Sequence, residues 1–438
     1  MVEEMQSSSY VHFKNSCGGK ATCVKVCPTK AIRLKSNESI QVVDHCIGCG
    51  ECIRVCPKGA VSAATNKLSE LEMDQISVAL VSPVLYSQFP GVMPKDILLG
   101  LKQMGFLHTV DMSYFLEMFQ CATEEFIVRN RADQKSPWPL ISPVCPVVVR
   151  LIAYQFPTLL PNVIPVLRPV ALMAREVKKQ VTQEYGVNEE AVTLYYINPC
   201  PTSSQYSNNF SQQKQASMNK ALGINDIYTE LLHQIEKIRE SDQIPFSQER
   251  FEFEDCATGN GPLWGLSGGE IADMNIDHSL AVSGLKETIT YLEKIELGLF
   301  KDMKYIEFRV CPEGCIGGVL TVIDKYLAKS AVQKMVKMLG LGKRLSRSHI
   351  LRLYEKGRFH VEAKPSKLQQ LFGAQNEPLS IESLQEIERL LEHIQGIDCA
   401  ACGAPDCRTF AEDVVRGVAS LNECLILHAR GIIEGQNQ

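Results

Sequence analysis

No apolar run in this chain approaches the ~18 residues that a membrane-spanning helix needs, so a transmembrane role is excluded. The amino terminus, MVEEMQSSSY, has no apolar segment of the kind a secretory signal carries, and the expected location is cytoplasmic. Positive charge is not in excess: Lys and Arg total 45 against 50 Asp and Glu, a net charge of −5. No Lys/Arg-rich run offsets that balance, which argues against a nucleic-acid partner held by the bulk field. Low-complexity tracts are absent. Cysteine is too scarce for a disulfide scaffold: 17 in 438 residues is well below the ~8–10% of such chains. A chain of this length buries enough core to need no staples.

What is present is cysteine in tight groups, and reduced clustered thiols usually bind metal. Seven fall within residues 1–66, four within 398–438, and most of the rest stand singly or as a pair between them. Residues 67–330 form the expected main body. The runs ISVALVSP, AVTLYYI and KYIEFRV read as buried strands, and DIYTELLHQIEKI and RPVALMAREVKKQV as helices between them. Alternation of this kind implies an α/β core. Residues 331–397 are more charged and read as a helical connector ending in IESLQEIERLLEHI, apolar at three-to-four spacing.

Cys46, Cys49, Cys52 and Cys56 make C-x2-C-x2-C-x3-C-P, the bacterial ferredoxin run. Three thiolates two residues apart wrap three corners of one cube, and the fourth, turned away by its proline, ligates the neighbouring cluster. The first copy is incomplete. Cys17, Cys23 and Cys27 match its first, third and fourth positions, but Lys20 stands at the second. With the fourth ligands exchanged, Cys27, Cys46, Cys49 and Cys52 complete one [4Fe–4S] cluster. Cys17, Cys23 and Cys56 are left one ligand short, for a three-iron cluster, a four-iron cluster with a non-cysteine corner, or none. Metal rather than an apolar core is expected to organise this segment, which resembles a two-cluster bacterial ferredoxin.

In the body, Cys145 lies in SPVCP, Cys200 in NPCP, and Cys311 with Cys315 in CPEGCIGG. The C-x3-C spacing would let Cys311 and Cys315 share one face of a helical turn. Gly314, Gly317 and Gly318 would leave room for a bulky group against the backbone. These motifs, in this order behind a ferredoxin segment, resemble the three cluster-binding loops of [FeFe]-hydrogenases over roughly residues 75–330. The resemblance implies an α/β hydrogenase-type body with a ferredoxin-like domain before it and a small iron–sulfur domain after it. It implies that Cys145, Cys200, Cys311 and Cys315 hold a [4Fe–4S] cube. Cys315 would also bridge to a diiron unit carrying CO, cyanide and a dithiolate, the H-cluster. H2 and protons would be the substrates, maturation enzymes would build the diiron unit, and an electron-transfer or signalling protein would be the partner.

The departures from that family are specific. Val144 stands where the family has a proton-relay cysteine. Ser203 replaces a lysine that anchors cyanide, and Arg309 a methionine. Glu124 and Glu125 lie slightly off the register of the relay glutamates. Glu313, an acid between the last two ligands, is a candidate proton carrier beside Cys315 in the catalytic set, weighed against a solvated loop acid. Loss of the relay cysteine is a feature of the sensory branch, so the resemblance implies slow H2 turnover with a regulatory role. A cubane-only homologue acting as an electron-transfer or redox-regulatory module is the alternative. An iron–sulfur assembly scaffold ranks third, because such relatives end in Cys-Trp and this chain ends GIIEGQNQ.

Cys399, Cys402, Cys407 and Cys424 make C-x2-C-x4-C-x16-C, resembling a four-cysteine [4Fe–4S] domain of electron-transfer proteins. Four-cysteine zinc sites usually carry two C-x2-C knuckles, and one is present. The segment after Cys407 reads as a helix with Phe410, Val414 and Val415 apolar. Cys121 and Cys256 remain unassigned, Cys121 as a buried free thiol. Trp264 is expected in the core. Gly268 and Gly269 are not a phosphate loop, since no lysine follows at the required spacing.

Overall fold

The computed structural model describes residues 10–14, 17, 20–34, 40–43, 45–71, 76–130, 137–202, 220–240, 260–342, 345–360, 369, 379–394 and 396–429. The chain forms two compact units, Met1–Ala64 with Ala374–Gln438, and Thr65–Gly373. Among the described residues, no helix is long and apolar enough to cross a membrane.

The first unit joins the two cysteine-rich ends of the chain. Its ferredoxin part pairs β1 (Val11–Phe13) antiparallel with β4 (Val61–Ala63), and β2 (Ile32–Leu34) with β3 (Ile40–Val42). The internal repeat of the sequence becomes a repeat of structure. Helices Thr22–Val26 and Glu51–Val55 are each entered through a left-handed residue, Ala21 and Gly50, and each ends on an extended cysteine, Cys27 and Cys56. Pro28 and Pro57 explain that ending, because a residue before proline is pushed out of the helical region. A small apolar core does exist here, contrary to the expectation that metal alone would organise the segment. Tyr10, Val11, Phe13, Val24, Ile32, Ile40 and Val61 are buried, with five cysteines packed against them.

The carboxy-terminal part of this unit packs helix Ile381–His393 on helix Cys407–Val415, burying Ile387, Phe410 and Ala411. Ser380 and Asp406 cap the two helices, accepting from Ser383 N–H at 3.1 Å and Thr409 N–H at 2.7 Å. The stretch expected as a single connector is divided. Helices Lys325–Leu339 and Arg347–Glu355 lie in the second unit, and Ile381–His393 in the first.

The second unit is the α/β body. One sheet has the order β6 (His108–Asp111), β5 (Ile76–Val81), β8 (Val192–Asn198), β9 (Lys220–Gly223). A second has the order β10 (Ser279–Ser283), β11 (Tyr305–Arg309), β7 (Leu140–Ile141). All pairings in both are parallel. Parallel strands are covered on both faces, so β8, entirely buried, reads as a continuous apolar run. The three strands and two helices expected from the sequence are all present.

Candidate functional site

Parallel α/β sheets bind ligands at the carboxyl ends of their strands, because the loops there are free of crossover packing. The body follows that rule from both sheets. Cys145 follows β7, Cys200 follows β8, and Cys311 follows β11. All three, with Cys315, line one cavity of about 760 Å3, its solvent mouth included. Ser82 and Met112, just beyond β5 and β6, line it too.

Each loop is held by local chemistry. Cys145 is the N-cap of helix Pro146–Gln155, with Pro146 at its first position. Cys200 donates its backbone N–H to the Asn198 side chain at 2.9 Å, and its sulfur lies 2.7 Å from the Thr202 hydroxyl. The third loop differs from the expected helical turn. It reverses through Glu313 and Gly314, both at positive φ, before a 3-10 turn over Cys315–Gly317. The glycines there do not make room for a bulky group as expected. A Cβ at Gly318 would strike the Pro199 carbonyl and one at Gly314 the Leu266–Ser267 backbone, so glycine lets this loop pack on its neighbours.

Burial raises the pKa of the Cys200 thiol. It also pushes Cys315 up to about 12, against the opposing pull of Arg309. These thiols ionise when a cation takes the proton's place, since a coordinating thiol is deprotonated outright. Four thiols from three loops are the donor set of a cubane. Among the described residues, no three His, Cys, Asp or Glu side chains are set to hold a single metal ion.

Arg309 also lines the cavity and is 1% exposed. Its Nε donates to Glu307 at 3.0 Å and its Nη2 to Glu270 at 2.9 Å, while its centre lies 5.2 Å from the Trp264 ring. Nη1 is buried without a hydrogen-bond partner. Burial alone would lower the pKa of this guanidinium, but Glu307 and the neighbouring thiols raise it, so it stays charged. Tyr305 and Ser142 donate to Glu270 at 2.6 and 3.0 Å, and the Gly268 and Glu270 amides donate to Glu307. Sequence reasoning missed Glu270 and Glu307. The signal available was an acid and an arginine inside a run read as a buried strand, since buried charges must be paired.

Several expected residues lie elsewhere. Glu313 is not among the residues that line the cavity and pairs with Lys329 at 2.6 Å, both side chains partly exposed. Glu124 accepts from Asn275 N–H and pairs with Arg347, and Glu125 pairs with Arg129. Cys121 is half-buried against the apolar core. Val144 does line the cavity, as does Trp264, which serves both core and wall. Ser203 and Cys256 lie outside the described residues.

In the first unit, Cys17, Cys23, Cys27, Cys46 and Cys56 pack against the small core that holds Cys52. Burial raises the pKa of the Cys49 thiol and pushes that of Cys23 up to about 11. Cys399, Cys402, Cys407 and Cys424 line one smaller cavity.

Residues 75–270 match the family described as the iron only hydrogenase large subunit, C-terminal domain. That span covers somewhat under half of the chain. Residues 17–67 match the LdpA Fe–S cluster-binding domain, and 394–426 an Fe–S cluster family. Iron hydrogenase 1 of Clostridium pasteurianum is 24% identical over 280 residues, 54% of this chain and 47% of that protein. The chain thus spans about half the length of that curated relative. An apo variant of the [FeFe]-hydrogenase HydA1 from Chlamydomonas reinhardtii superposes with a TM-score of 0.50 at 14% identity, covering 69% of this chain and 94% of that one. A second HydA1 variant gives 0.50 at 15%, covering 68% and 94%. At these identities the likeness shows the fold: a hydrogenase-type α/β body, with iron–sulfur domains at both ends. The third loop of the hydrogenase-type body, with Cys311 and Cys315, lies beyond the matched family span.

Proposed function

We propose that this chain is a hydrogenase-type iron–sulfur redox protein that handles H2 slowly, in a sensory or regulatory role. The convergence of Cys145, Cys200, Cys311 and Cys315 on one cavity carries the reading. Their thiolates would hold a [4Fe–4S] cube, with Cys315 bridging to a diiron unit. That unit, when bound, supplies the chemistry that splits H2. The protein's part is to hold, insulate and wire it. Met112, Val144, Val170 and Trp264 give the cavity an apolar wall. Arg309 Nη1, buried and unpartnered, offers a cationic N–H to an anionic ligand of the site, in place of the lysine implied by the family. Val144 carries no proton, and slow proton delivery with low turnover belongs to this reading. Maturation enzymes and an electron-transfer or signalling partner belong to this reading.

The experiment is infrared spectroscopy on protein matured with the diiron assembly enzymes. Bands of metal-bound CO and cyanide, with measurable H2 uptake, are expected. Absence of both would leave the cubane-only module. The observation favouring that second reading is Val144 in the cavity wall, where the family resemblance puts a proton-carrying cysteine.

A further inference from the structure

The four cysteines at the carboxy terminus fall in the same compact unit as the ferredoxin segment, and the contacts between the two parts are built around cysteine neighbours. Gly403, next to Cys402, accepts at its carbonyl from Leu34 N–H at 2.9 Å. The approach is so close that a Cβ at Gly403 would collide with the Leu34 carbonyl, and Gly403 sits at φ +82°, a conformation open to glycine. Asp406, next to Cys407, pairs with Lys30 at 2.7 Å. Arg33, largely buried, reaches Asp413 with both Nε and Nη2, the latter at 3.2 Å. All three contacts on the ferredoxin side lie within Lys30–Leu34, directly after Cys27. The Lys30 amide donates to the Cys27 carbonyl at 3.1 Å, and the Ala31 amide donates to the Cys27 sulfur at 3.2 Å.

Two short routes therefore join the carboxy-terminal cysteines to Cys27. One runs from Cys407 through Asp406 and Lys30. The other runs from Cys402 through Gly403 and the Leu34 strand to the Ala31 amide on the Cys27 sulfur. The cysteine spacing puts Cys27 in the complete group with Cys46, Cys49 and Cys52.

We propose that the carboxy-terminal cluster and the complete ferredoxin cluster form one electron-transfer junction, with residues 30–34 as the bridge. A single electron passes from the reduced cube of one to the oxidised cube of the other, with no bond made or broken. The carboxy-terminal cysteines are thus an internal terminus of the ferredoxin wire. The proposal rests on the reading of these cysteines as cluster ligands and is independent of H2 chemistry in the body.

The test uses the full chain, reconstituted with iron and sulfide, counted for both, and fully reduced for electron paramagnetic resonance. The expected spectrum shows spin–spin broadening beyond the sum of the spectra of two variants, Cys402→Ala and Cys49→Ala, each lacking one of the two clusters. The double variant Asp406→Asn with Asp413→Asn, which keeps all the cysteines, is expected to lose that broadening while retaining its iron. A wild-type spectrum equal to the sum of the single-cluster spectra, at full iron content, overturns the junction. Iron unchanged by Cys402→Ala overturns both the junction and the cluster reading beneath it. Broadening that persists in the double variant, at full iron content, overturns residues 30–34 as the bridge.

Discussion

Arg309 and Glu270 form an ion pair at 2.9 Å in which neither side chain is more than 1% exposed. Glu307 closes on the same guanidinium at 3.0 Å. Removing one member of a buried pair strands the other charge, at a cost of roughly 3–5 kcal/mol. Arg309→Met is therefore expected to destabilise the body by about that amount in chemical denaturation. Glu270→Gln and Glu307→Gln, added to it, should recover most of the loss. An Arg309→Met protein as stable as wild type would mean that the triad contributes nothing to folding.

Burial raises the Glu307 pKa to about 7, against the opposing pull of Arg309. A raised carboxylate pKa means the folded protein holds the proton below that value and releases it above. A carbonyl stretch of a protonated carboxyl should thus fade in infrared spectra as pH rises through neutrality. It should be missing throughout in Glu307→Gln. A stretch that persists in that variant would reassign the proton.

Cys200→Ala is expected to remove one four-iron cube from the body without affecting the clusters of the first unit. Iron and sulfide counts, compared with those of Cys402→Ala, check it. Iron content equal to wild type would remove Cys200 from the ligand set.

Val144 lines the cavity where the family resemblance puts a proton-carrying cysteine. General acid–base catalysis contributes ~10²–10⁴-fold where a positioned group moves the proton. In matured protein, Val144→Cys should raise H2 turnover towards that range. Unchanged turnover, with CO and cyanide bands present, would show that the missing thiol is not what limits the rate.

Lys20 stands at the one non-cysteine position of the first ferredoxin run. Lys20→Cys is expected to raise iron content, or to convert a three-iron paramagnetic signal to a four-iron one. If neither changes, another group already fills that corner.

Much of this molecule is written locally in its sequence. Cysteine spacing and the prolines that follow Cys27 and Cys56 specify the ferredoxin repeat, because an X-Pro step constrains the backbone of its own neighbour. Uninterrupted apolar runs specify β5, β8 and β11, because parallel strands are buried on both faces. The cysteine-after-strand pattern also marked the cavity, since loops at strand ends are where such sheets bind. Other features depended on residues that meet only after folding. Arg309 finds Glu270 39 positions away, and Arg33 finds Asp413 380 positions away. The spacing of Glu313 from Cys311 and Cys315 likewise says nothing about its pairing with Lys329. Charge pairing acts across space and leaves no period in the chain, so tertiary structure alone decided which acids pair with Arg309 in the cavity wall. It also decided that the two cysteine-rich ends share one unit.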